Sequence, residues 1–122
     1  MDDPLYREEI LEHSRNPRNK RVIDGATISA PGSNPSCGDS LILYMNIENG
    51  LVKDAAFTGE GCALSQASAS MLTEHIKGKT TGELKLLVPG DVYSILNVDI
   101  GPARAQCVLL SYGALEEALK KI

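Results

Sequence analysis

The pair Asn49-Gly50 stands in the middle of "SLILYMNIENGLVKDAAFT", residues 40 to 58, and constrains the chain more than any other feature. Both residues tolerate the positive φ that a two-residue type I′ turn demands, and that turn's twist matches the strands it joins. On its N-terminal side Leu41, Leu43, Met45 and Ile47 alternate with more polar residues, the period of a half-buried strand. The segment is therefore expected to form an antiparallel hairpin with one apolar face, and that face needs an apolar layer over it. If Asn49 and Gly50 form the turn, Glu48 faces Leu51, and the ladder continued outward sets Cys37 opposite Cys62. Residues directly opposite have Cβ atoms about 4.5–5.5 Å apart, a spacing compatible with two ligands on one metal. Gly59 and Gly61 are expected to distort the last rungs, so the inference is proximity rather than strict register.

After Cys62 the period changes. "ALSQASASMLTEHIKGK" carries Leu64, Ala67, Met71 and His75 at helical spacing, with Gly78 as its natural stop. Cys62 then sits at a helix N-terminus, where the dipole favours thiolate, the form that a metal ligand and a nucleophile both need. The small residues Ala67, Ser68, Ala69 and Ser70 would let this helix approach its neighbours closely.

Upstream, Asp3 and Pro4 are expected to start a short helix with Tyr6, Ile10 and His13 on one face. "NPRNKRVIDG" breaks it into a basic loop, "ATISA" reads as a short strand, and "PSCGDS" reads as a turn, with Asp39 in ordinary turn chemistry. Downstream, Thr81 caps a short turn, "VPG" breaks the chain, and Asp91 caps "VYSILN". Pro102 then opens one final helix, on which Arg104 and Cys107 share a face and Val108, Leu115 and Leu119 supply much of the buried stripe.

Composition narrows the function classes. The 122 residues carry 12 basic and 16 acidic side chains, a net charge of −4, so the field does not favour nucleic acid or an anionic membrane. No apolar run approaches the roughly 20 residues needed to span a bilayer, and "MDDPLYREEI" is acidic where a secretion signal is basic. Three cysteines without an export signal fit a reducing compartment, and a cytoplasmic location is expected. The thiols are then free, metal-bound or reactive. No repeat or linker divides the chain, so residues 1–122 are expected to form a single domain.

Four segments, "NPRN" at 16–19, "NPSCGD" at 34–39, "GEGCALSQASASMLT" at 59–73 and "RAQC" at 104–107, together resemble the IscU/NifU/SufU family of iron-sulfur cluster assembly scaffolds and sulfur acceptors. The resemblance covers nearly the whole chain. It implies an α+β fold: a small antiparallel sheet with helices packed on one side and three cysteines forming a site at one end. It also implies a pyridoxal-phosphate-dependent cysteine desulfurase as sulfur donor, with downstream apo iron-sulfur proteins or carriers as recipients.

Residue by residue, Cys37, Cys62 and Cys107 match the family's cysteines, and Asp39 matches the carboxylate two positions after the first. The branch features are mixed. Gln106 stands where IscU-type chains have a histidine, and Arg104 with Cys107 matches the SufU-type Arg-x-x-Cys. Yet Cys62 and Cys107 are only 45 positions apart, without the extra segment that SufU-type chains usually carry between them. The Leu-Pro-Pro-Val-Lys segment of the IscU branch is replaced by "VDIGPAR", so the resemblance does not extend to handling by an Hsp70-type chaperone.

The implied ligand set agrees with elementary chemistry. Three thiolates and one carboxylate are ligand types that Zn²⁺ accepts at tetrahedral geometry, and thiolates equally hold iron-sulfur clusters. Arg104, which cannot deprotonate, would offset the negative charge of such a centre. The carboxylate is the weakest of the four for a soft metal, which suits a site that must release its contents. The expected function is a scaffold that builds a labile [2Fe-2S] cluster on Cys37, Asp39, Cys62 and Cys107. The alternatives are a zinc-dependent sulfurtransferase, or a zinc module that only binds partners. Cys37 and Cys107 are the expected persulfide acceptors, while His13 and His75 are expected to be structural.

Overall fold

The structure is a computed structural model that describes residues 8–34, 39–97 and 102–122. The expected helix start at Asp3 and Pro4 lies outside them. In chain order the elements are α1 (Glu8–Arg15), β1 (Ile28–Asn34), β2 (Asp39–Glu48), β3 (Leu51–Glu60), α2 (Ala63–Ile76), α3 (Thr81–Lys85), α4 (Pro89–Leu96), α5 (Pro102–Val108) and α6 (Leu110–Lys120). The strands form one antiparallel sheet in the order β1-β2-β3.

The hairpin turns where the sequence says it must, with Asn49 at φ 54° and Gly50 at φ 74°. Glu48 faces Leu51 and Ile47 faces Val52, but between Ile47 and Asn46 the register shifts, and Asn46 faces Asp54. The extra residue is the exposed Lys53. It lets Val52 and Ala55, three apart, both turn into the core, which strict alternation forbids. The slip therefore occurs beside the turn and not at the far glycines. It offsets every outer rung by one residue, ending with Ser40 opposite Glu60.

β1 runs further than "ATISA", through "PGSN" to Asn34. Pro31 is exposed on this edge strand, where a missing N–H is tolerated. Gly32 is required by close packing, since a Cβ there would fall 2.6 Å from the Leu110 carbonyl oxygen. Proline and glycine signal a turn in sequence and serve an edge and a close approach here.

The apolar face of the sheet, with Ala30, Leu41, Leu43, Met45, Val52, Ala55 and Phe57, packs against α2 and α6. Burying a side chain such as Leu43 or Phe57 contributes about 1.5–3 kcal/mol. On its far side α2 meets a second cluster, in which Leu64, Ala67 and Met71 pack with Ile10 of α1, Val92 and Leu96 of α4, and Val108 and Tyr112. Helix α2 is thus central, with every residue from Leu64 to Thr73 buried. Its small residues allow that, and its hydroxyls find partners: Ser68 donates to the Val108 carbonyl at 2.6 Å, and Thr73 to the Ala69 carbonyl at 2.8 Å.

The "NPRN" loop has a mechanical role that its basic composition hides. The Arg18 N–H donates to Ser70 Oγ at 2.7 Å, and Asn19, at φ 66°, accepts from the Phe57 N–H through its carbonyl at 2.9 Å. The loop so ties α1 to α2 and to the free edge of β3. Downstream, α3 is capped by Thr80 rather than Thr81, in a reciprocal capping box with Glu83. α4 starts at Pro89, with Asp91 in its first turn accepting from the Val88 N–H at 2.8 Å rather than acting as the cap. The single C-terminal helix expected from Pro102 onward is two, broken at Leu109, beside the Val108 carbonyl that takes the Ser68 hydroxyl.

Candidate metal centre

Three elements bring chemistry to one end of the sheet. Asp39 opens β2, paired with Asn34, and is 9% exposed; it is a strand residue, not the turn residue expected. Cys62 is the N-cap of α2, exposed, with its sulfur accepting from the Ser65 N–H at 3.5 Å. Cys107 lies on α5 and is half-buried, packed beside the second core cluster. One ligand atom from each of Asp39, Cys62 and Cys107 lies within 4.8 Å of the others.

That spacing fits a metal. Zinc bonds of 2.0–2.3 Å at tetrahedral angles place ligand atoms about 3.5–3.8 Å apart, so closure needs side-chain movement on the order of 1 Å. The donor set, two sulfurs and a carboxylate oxygen, suits Zn²⁺ or iron in thiolate coordination.

The other expected site residues fall as follows. Cys37 lies outside the described residues, so its expected place opposite Cys62 does too; it stands two positions before Asp39, which limits its Cα to on the order of 7 Å from that of Asp39. Arg104 is half-buried on α5, one turn ahead of Cys107. Gln106 is exposed. His75 is exposed near the end of α2, and His13 Nδ1 lies 2.7 Å from Ser70 Oγ; neither belongs to the three-residue group.

Ser65, which sequence reasoning passed over, and Gly61, which it expected only to distort the ladder, complete the local geometry. Ser65, 1% exposed, places Oγ 3.3 Å from Asp39 Oδ2, 3.0 Å from the Cys62 carbonyl oxygen and 3.6 Å from the Cys62 sulfur. The Cys62 N–H also points at Asp39 Oδ2, at 3.4 Å. Gly61 leaves the room for this: a Cβ there would lie 2.4 Å from Ser65 Oγ and 3.4 Å from the Asp39 carboxylate. A serine three residues into a helix whose N-cap is cysteine was the available signal.

A three-stranded antiparallel sheet with helices packed against one face, carrying a Cys-Asp group at one end, defines the IscU/SufU-like α+β class. Two solved structures share it. One is a candidate iron-sulfur cluster assembly scaffold for the SUF system of Fervidobacterium islandicum AW-1, at TM-score 0.80 and 32% identity over 94% of this chain and 96% of that one. The other is the N-terminal part of a NifU-like protein from Brucella abortus, at TM-score 0.81 and 25% identity over 98% and 95%. The chain belongs to the NifU-like N-terminal domain family, whose model matches residues 5–122.

Among its relatives are the zinc-dependent sulfurtransferase SufU of Bacillus subtilis, 38% identical over 98% of this chain and 92% of that protein, and the iron-sulfur cluster assembly scaffold protein IscU of Thermotoga maritima, 38% identical over 97% and 94%. The aligned spans of 136 and 134 residues exceed the 122 of this chain, so both relatives carry residues it lacks. Chain length therefore does not separate the two kinds of relative.

Proposed function

We propose that this protein is an iron-sulfur cluster assembly scaffold: it accepts sulfur from a cysteine desulfurase, assembles a labile [2Fe-2S] cluster as cargo, and passes it to apo proteins or carriers. The observation that carries this reading is the convergence of Asp39, Cys62 and Cys107, from three elements, within 4.8 Å. Cys37, tethered two residues from Asp39, is the proposed third thiolate. The exposed N-cap position leaves Cys62 open to a docking partner, and half-buried Cys107 forms the inner wall. A site built on thiols works in a reducing compartment, and the proposed location is the cytoplasm.

Sulfur arrives by thiol exchange. A thiolate of this chain, at Cys37 or Cys107, attacks the terminal sulfur of the donor's persulfide; the donor's S–S bond breaks, the donor leaves as thiolate, and a new S–S bond remains on the acceptor. No external oxidant or reductant is consumed in that step. Arg104, one turn from Cys107, supplies positive charge to the anionic persulfide.

A second reading, a zinc-dependent sulfurtransferase, is favoured by Arg104 and by Gln106 in place of a histidine beside Cys107. Zn²⁺ would be held by Asp39, Cys62, Cys107 and Cys37, and would supply thiolate stabilisation; the chain's own step remains the exchange at cysteine. Mass spectrometry after incubation with a desulfurase and cysteine locates the added sulfur atom. Persulfide on Cys37 or Cys107 is expected, and persulfide on Cys62 alone contradicts the assignment of acceptors.

A further inference from the structure

We propose that Ser65 is a positioning residue for the metal centre: its hydroxyl holds the Asp39 carboxylate in its ligating orientation. The inference rests on Asp39, Cys62 and Cys107 being the metal-binding group. Ser65 is buried in the first turn of α2, where its hydroxyl and its N–H face Asp39 and Cys62. Its oxygen lies within reach of two acceptors, Asp39 Oδ2 at 3.3 Å and the Cys62 carbonyl at 3.0 Å, and its N–H reaches the Cys62 sulfur.

One small side chain therefore touches two members of the three-residue group. The Cys62 N–H and the Ser65 hydroxyl both address the same carboxylate oxygen, Oδ2. Two donors on one oxygen hold the carboxylate turned toward the start of α2, beside Cys62. Ligating carboxylates oriented by such outer hydrogen bonds lose affinity when the partner is removed, typically by 10–100-fold. Gly61 belongs to the same device, because a Cβ at that position would sit 2.4 Å from Ser65 Oγ and force the hydroxyl to rotate away.

Two substitutions perturb this bond by different routes: Ser65→Ala deletes the hydroxyl, and Gly61→Ala displaces it. Each full-length variant is loaded with Zn²⁺ alone and titrated with a chromophoric chelator, and a parallel sample with Co²⁺ is followed by its visible spectrum, which reports coordination number. Zinc affinity is expected to fall about tenfold or more in both variants, with a changed Co²⁺ spectrum and an unchanged far-ultraviolet circular dichroism. In an Asp39→Ala background, Ser65→Ala is expected to have no further effect, because the residue acts through that carboxylate. Additive losses in the double variant, or wild-type affinity in both single variants, would overturn the proposal. A wild-type protein that takes up neither Zn²⁺ nor Co²⁺ would instead overturn the metal-site reading beneath it.

Discussion

In the proposed site Asp39 is the residue on which lability would turn, because among Asp39, Cys62 and Cys107 it offers the oxygen donor, the weakest partner for a soft metal. Asp39→Ala leaves the cysteines in place. Zinc affinity is expected to drop by at least as much as in Ser65→Ala, read by chelator competition, while an assembled cluster is released more slowly to an apo-ferredoxin, followed by circular dichroism. Wild-type behaviour in both assays would remove Asp39 from the ligand set. His13 gives a second prediction, about pH. Ser70 Oγ accepts the Arg18 N–H and lies 2.7 Å from His13 Nδ1, so the two groups share one hydroxyl. Burial, then the Arg18 charge, lowers the histidine pKa below its ordinary 6.5, against the opposing carboxylates Glu9, Glu74 and Glu12. The unfolded chain therefore binds the proton more readily, so this contribution is full above pH 6.5 and is lost as pH falls through the lowered folded value. Urea midpoints measured from pH 7.5 down to 5 should fall less in His13→Gln than in wild type; identical slopes would contradict the assignment.

Among the elements, the β2-β3 hairpin was legible because Asn49-Gly50 has few other uses, and α2 because its period changes at Cys62. The bulge at Lys53 was not legible: the need to bury both Val52 and Ala55 is set by the apolar cluster that covers the sheet, which no local pattern encodes. The same holds for "PGSN", whose conformation is imposed by β2 on one side and the Leu110 carbonyl on the other. Of the candidate site, the motifs named Asp39, Cys62 and Cys107, which lie within 4.8 Å of one another, whereas Ser65 could not be found, since its contact exists only once β2 delivers Asp39 to the start of α2. Gly59 offers a test of this strand end. At φ 140°, with a Cβ that would lie 2.3 Å from the Ser40 carbonyl oxygen, it has no room for a side chain. Gly59→Ala is expected to cost about 3 kcal/mol in urea unfolding and to weaken metal binding by shifting the start of β2. A loss below about 1 kcal/mol would show that the rung relaxes freely.

For the whole molecule, the candidate site gathers residues of β2, α2 and α5, so a metal bound there would act as a clamp across the three elements. Among the described residues no helix is long and apolar enough to cross a membrane. Zinc present at a hundredfold over its dissociation constant is expected to add about 2.7 kcal/mol and raise Tm by about 10 °C, checked by calorimetry before and after verified chelation. An unchanged melting curve would take the metal out of the stability account. The central claim, that the protein assembles a cluster, is tested most directly by anaerobic reconstitution of the full chain with ferrous iron, cysteine, a cysteine desulfurase and a dithiol reductant that supplies the electrons for taking persulfide sulfur to sulfide, followed by analysis of iron, zinc and acid-labile sulfide. The account predicts charge-transfer absorption with iron and labile sulfide in equal amounts, lost in Cys62→Ser and Cys107→Ser. A colourless protein that retains one equivalent of zinc and no labile sulfide under those conditions would contradict it.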